Sequence, residues 1–198
     1  GDIYITNSTV TANSDADAGI STNGNIIITN STVNATTEFD DDEYGIYAIG
    51  GSKITISGGT VTATAAGKYS NAIYSWSSSI DITDGATVIA KAPNEGSYPA
   101  IFGNGGISVT DSNLTAEAGG DVAVYSPSDI NIKNSIVNAS APDGVDGIMA
   151  NGTSSVSGSW INTSGNDYYG NNIENSVVIK NNDGSVYGNA VISKDTEL

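Results

Sequence analysis

The feature that most narrows the choice of fold is a phrase repeated along the chain. "IIITNSTVNATT" runs from Ile26 to Thr37, "ITISGGTVTATA" from Ile54 to Ala65, and "ISVTDSNLTAEA" from Ile107 to Ala118. With the second apolar residue of each "I-x-I" as anchor, the repeat falls at Ile5, Ile28, Ile56, Ile82, Val109, Ile132 and Val156, spaced by 23, 28, 26, 27, 23 and 24 residues. Two positions ahead of the anchors stand Ile3, Ile26, Ile54, Ile80, Ile107 and Ile130, with Ser154 the lapse. A second apolar column follows at Val10, Val33, Val61, Val88, Leu114, Val137 and Ile161, Val88 requiring a one-residue insertion. Alanines come next, at Ala12, Ala35, Ala63, Ala90, Ala116 and Ala139. A third segment recurs as "GIST", "GIYA", "AIYS", "AIFG", "AVYS" and "GIMA".

Each unit therefore holds three short runs alternating apolar and polar, the period of a strand with one buried face. Between the first two runs lie Asn7-Ser8, Asn30-Ser31, Gly58-Gly59, Asp84-Gly85, Asp111-Ser112, Asn134-Ser135 and Gly158-Ser159. Asn, Asp and Gly are the residues that tolerate a left-handed backbone turn. Three strands per unit and no helix predict an all-β chain, a single-stranded right-handed parallel β-helix (a β-solenoid) of about seven coils. Leucine-rich repeats are the main structural competitor, and their asparagine-spaced leucine pattern is missing. Residues 1–165 read as repeats and 166–198 as the C-terminal coil or cap of the same domain. There "NSVVIKNNDGSVYGNAVISKD" sets two alternating runs around a hairpin-type turn, suited to a strand or hairpin cap over an open edge.

Composition agrees with a thin core. Of 198 residues, 38% are hydrophobic and 24 are glycine, too few large apolar side chains for a thick spherical interior but enough for a repetitive one. The formal charge of −16 comes from 22 acidic residues against six lysines, with no Arg and no His. Such a surface repels nucleic acid and anionic membrane and attracts cations, calcium first among them. No Cys is present, so disulfide and thiol chemistry are excluded. No apolar run approaches the roughly 18 residues of a membrane-spanning helix. The chain opens in mid-pattern at "DIYITNSTV", which reads as a piece of a longer protein.

The phrase "GIYAIGGSKITISGGTVTATA" resembles the repeats of bacterial cell-surface β-helix proteins, in particular a cellulose- and acid-sugar-binding β-helix family. The closing "GSVYGNAVI" is similar to a phrase in adhesin-like proteins of gut Firmicutes. The resemblance implies an extracellular, carbohydrate-binding role, often with calcium. Where that family commonly has Asp beside the third-run isoleucine, this chain has Ser21, Tyr47, Tyr74, Phe102, Tyr125 and Met149. The family's calcium sites therefore do not transfer residue by residue.

That departure supplies the first candidate site. If the third-run isoleucines point inward, alternation sends Tyr47, Tyr74, Phe102, Tyr125 and Met149 outward in one stripe, with Trp76 sharing the face of Tyr74. Aromatic rings on a flat sheet suit the C–H faces of sugars. The competing reading is a ladder of rings that stabilise only one another. A second candidate is the acidic edge, where Asp15, Asp17, Asp40, Asp41, Asp42 and Glu43 offer hard oxygen ligands for calcium, against the plainer reading of a solvated charge run. Third, Asp84 and Asp111 would stack and disfavour each other's charge, an arrangement that also raises a glycosidase reading. Fourth, Thr9, Thr11, Thr32, Thr60 and Thr62 resemble the Thr arrays of ice-binding solenoids, although Ile89, Asn113, Ile136 and Trp160 interrupt them.

β-Helices also host pectic lyases and hydrolases. The lyases generally use Arg near calcium, and the hydrolases an Asp cluster on one strand face. This chain has no Arg, no His and almost no strand carboxylates, so no catalytic residue is assigned. The expectation is a non-catalytic, monomeric extracellular module that binds a polysaccharide or a host or cell-wall glycan, or acts as an adhesin stalk. A polysaccharide lyase or hydrolase is the alternative, and ice binding a remote one.

Overall fold

In a computed structural model the chain is described over residues 1–38, 44–96 and 98–164, and over the strand segments 168–169, 172–174, 177–180 and 186–187. The described residues make a parallel β-solenoid of about six turns, with no helix. The repeat count predicts about seven coils, and the seven anchors enclose six intervals.

First and second runs lie in one 15-stranded sheet, and third runs in a separate 7-stranded sheet. Coil stacks on coil in the register that the columns demand. Ile3 pairs with Ile26, Ile26 with Ile54, Ile54 with Ile80, Ile80 with Ile107, Ile107 with Ile130 and Ile130 with Ser154. Val88 pairs with both Val61 and Leu114, so the inserted residue is absorbed in the preceding turn. The strand at 177–180 extends the second column parallel to Trp160–Ser164 and pairs antiparallel with 186–187.

Inside this coil the apolar columns form one core. Ile26, Ile54, Ile80, Ile28, Ile56, Ile82, Val61, Val88 and Ile73 are fully buried, with alanine columns filling the space between. Ser154 occupies its isoleucine slot buried. Parallel sheets covered on their inner face gain mainly from such burial, at roughly 25 cal/mol per Å² of apolar surface.

The turn slots take the predicted conformation. Asn7, Asn30, Gly58, Asp84, Asp111, Asn134 and Gly158 all have positive φ, between 45° and 67°. The serine that follows then links neighbouring coils. Ser8, Ser112 and Ser135 donate their backbone N–H to the hydroxyls of Ser31, Ser135 and Ser159 one coil on, at 3.0–3.2 Å. Each of those hydroxyls donates in turn to a carbonyl two residues back. A corner that breaks the strand ladder is thus kept hydrogen-bonded.

Candidate functional site: an aromatic wall with a carboxylate cleft

The third-run isoleucines Ile46, Ile73, Ile101 and Ile148 are buried, as is Val124. Alternation therefore turns the next residue of each strand outward. Tyr47, Tyr74, Phe102, Tyr125 and Met149 stand in register across five coils. Ring centroids are 5.2 Å apart for Tyr47–Tyr74, 5.0 Å for Tyr74–Phe102 and 5.5 Å for Phe102–Tyr125. Trp76, 53% exposed, meets Tyr74 edge to face at 6.0 Å. The four rings of the row are half-buried against one another and keep part of their surface in solvent, with the exposed Trp76 beside them.

Two further tyrosines join the wall. Tyr44 stacks on Tyr47 at 4.2 Å and on Tyr74 at 5.0 Å. Strict alternation from Ile46 would have sent it inward. Instead Gly45 and Ile46 are both buried, the period slips by one, and Tyr44 emerges outside. Tyr98 comes from the loop before Ala100, 44% exposed, and meets Tyr69 edge to face at 5.9 Å.

Beside the wall, Tyr44, Tyr74, Trp76, Tyr98, Phe102 and Asp121 line a cleft of about 330 Å³, within the range of small-ligand sites. Its rim is built by loops lying one on another. Gly96 packs against the Lys68 carbonyl, and Gly120 against that of Gly96, so closely that a Cβ at either position would collide with backbone. This close approach brings Asp121 beside the rings. Its carboxylate accepts the Val122 N–H at 2.7 Å. Burial raises its pKa, with that hydrogen bond acting in the opposite sense. Asn71, also in the lining, donates its side-chain amide to the Pro99 carbonyl and ties the loop down.

Burial pushes the Tyr74 hydroxyl up to about 12, helped by Tyr47 and Tyr98. Tyr47 is raised by burial first and by the charge of Asp17 second. Both stay neutral hydrogen-bond partners near neutral pH. Asn151 Nδ2 donates to the Tyr125 hydroxyl at 2.8 Å.

No family model, characterised protein or solved structure shows a significant match to this chain. The β-solenoid fold is what stands of the family resemblance.

The other candidates fare differently. Asp40, Asp41, Asp42 and Glu43 lie outside the described residues. Asp17 has φ of 74°, and its carbonyl accepts the Tyr44 N–H at 3.0 Å. Among the described residues, which include Asp15 and Asp17, no three carboxylates converge as a metal site would need.

The expected conflict between Asp84 and Asp111 does not arise at Asp84. Its carboxylate turns to the preceding coil and accepts hydrogen bonds from Ser57 at 2.6 Å and Thr83 at 3.0 Å, which lower its pKa. Asp111 instead accepts Asn134 Nδ2 from the following coil, at 3.0 Å.

The threonine column runs one coil further than the sequence suggested. Thr9, Thr32, Thr60 and Thr87 are in register before Asn113, Ile136 and Trp160 replace them. The neighbouring column alternates Thr11, Asn34, Thr62 and Ile89, so paired threonines do not form a continuous array.

Proposed function

We propose that this chain is a non-catalytic carbohydrate-binding module of a larger extracellular surface protein, with Tyr47, Tyr74, Phe102 and Tyr125 as its glycan platform. The observation that carries the reading is the in-register row of accessible rings, each about one coil from the next. Strand spacing of about 4.8 Å is close to the length of one hexose in an extended glycan. A contiguous, partly exposed aromatic surface flanked by the exposed Trp76 and Tyr98 is also uncommon on a chain that has no partner for it. Asp121 and the tyrosine hydroxyls supply polar groups at the platform's edge, the arrangement a sugar hydroxyl would use.

Neutral or cationic glycans suit this chain better than polyanions, because its charge of −16 repels the latter unless calcium bridges the two. A glycan array run with and without a chelator tests the proposal. Binding that survives the chelator and disappears when the four rings are changed to Ala supports it. Binding only to polygalacturonate, and only with calcium, would move the ligand site to the acidic edge.

A stalk is the second reading, favoured by the ring-to-ring contacts and the uninterrupted core, which stiffen the coil whether or not a ligand binds. An array blank under both conditions would leave that reading in place. The lyase or hydrolase alternative would require release of unsaturated or reducing sugar from pectic substrate.

A further inference from the structure

The wall has two parts with different ring geometry. Around Tyr44, Tyr47 and Tyr74 the rings lie within 13–37° of parallel, with centroids 4.2–5.2 Å apart, and stack on one another. Toward the cleft they turn on edge. Trp76 meets Tyr74 at 85°, Phe102 meets Tyr74 at 49°, and Tyr125 meets Phe102 at 64°. Crossed rings offer faces and edges in several directions around one space, and a compact rounded cation gains from such surfaces at once.

Charge points the same way. Among the described residues, Asp121 is the sole charged one lining the cleft, and its carboxylate accepts a hydrogen bond from the adjacent Val122 N–H. A carboxylate partly withdrawn from water is favoured by an opposite charge brought against it. Calcium is a poor candidate for that charge, since it needs six to eight oxygen ligands and the cleft walls are mostly aromatic. An alkylated or sugar-borne ammonium needs one carboxylate and tolerates apolar walls.

We infer that the cleft beside Trp76 and Asp121 binds an organic ammonium group, carried by a deacetylated amino sugar or by a choline-type substituent. The inference rests on the glycan-binding reading only for these two sources, because a carboxylate set among aromatic rings itself selects for the ammonium. Asp121 faces the charge, and Trp76, Tyr74 and Phe102 supply ring surface.

Tryptophan fluorescence of the whole chain provides the test, with choline chloride, glucosamine and glucose as probes. Trp76 reports on the cleft, while Trp160 lies in the other sheet and gives a constant background. Choline or glucosamine is expected to change the emission saturably, with glucose silent over the same range. Whichever of the two binds more tightly identifies the source. Asp121→Asn, nearly isosteric, should weaken ammonium binding about tenfold with an unchanged circular dichroism spectrum. Trp76→Phe should remove the signal, and calcium should not displace choline. Glucose binding as tightly as glucosamine, unaffected by Asp121→Asn, would overturn the ammonium assignment and leave the platform reading intact. Silence from all three probes overturns it too. If the glycan array is also blank, the platform reading falls with it.

Discussion

Asn30 shows how much one backbone angle carries in this fold. Its φ is 45°, a region where a Cβ costs about 1–2 kcal/mol unless the side chain compensates locally. The next coil solves the same problem with Gly58, and others with Asp84, Asp111 and Asn134. Asn30→Ala should therefore lower stability by about 1 kcal/mol, and Asn30→Gly by much less, as read by denaturant midpoints at constant slope. These slots were legible from sequence, because only residue types that accept a left-handed turn occur there. Tyr44 was not, since a slipped period leaves no mark in an alternating pattern. Tyr74 offers a second test. Its hydroxyl pKa is raised from 10.0 to about 12, chiefly by burial, so the folded state keeps a proton that the unfolded chain gives up. The corresponding stability is complete below pH about 10 and is lost as pH rises toward 12. Tyr74→Phe should make unfolding less sensitive to pH across that window, and ultraviolet titration should find Tyr74 among the last tyrosines to ionise.

At the level of strands, stacking makes each side chain part of a column rather than of an isolated pocket. Ile82 lies between Ile56 and Val109 in register and is fully buried. Ile82→Ala should cost about 2–5 kcal/mol, because rigid neighbours above and below restrict collapse into the space left. Thermal unfolding followed by circular dichroism measures it. A loss near zero would mean the columns are loosely packed. The strands could be read from sequence since the columns recur with the same residue types at nearly constant spacing. The cleft could not. Asp121 and Tyr98 sit in loops of unequal length, and what joins them is the contact of Gly120 on Gly96, a matter of backbone approach between coils. The sequence marked the Tyr47–Tyr125 row because it rides on strands, and missed the loop-borne half of the site because no period governs loops.

Taken whole, the molecule is a thin coil with a large surface and a charge of −16. Each coil touches only its neighbours, so stability is distributed along the axis rather than gathered at one centre. The N-terminal coil shows this, with Ile3, Ile5 and Val10 only partly covered while Ile54 and Ile56 are fully buried. Charge acts on the whole length. Lys53 pairs with Asp81, and Lys91 with Glu117 at 3.0 Å, both pairs at the surface, where such contacts contribute about 0–1 kcal/mol. Against these few attractions stand 22 acidic residues that repel one another along the coil. Salt weakens both effects, and the repulsion is the larger because acidic groups outnumber the lysines by 16. At about 0.01 M ionic strength the screening length is about 30 Å, enough for charges several coils apart to interact, and near 0.15 M it falls to about 8 Å. The melting temperature should therefore rise when sodium chloride is raised from about 10 to 150 mM, at constant pH near 7 and with chelator present to exclude calcium. A melting temperature that falls over this range would show that the ion pairs outweigh the repulsion. If calcium at micromolar levels raised the melting temperature well beyond what matched ionic strength achieves, a specific site would be holding the ion, and the carboxylates between the second and third strands of the first two coils would be the place to look.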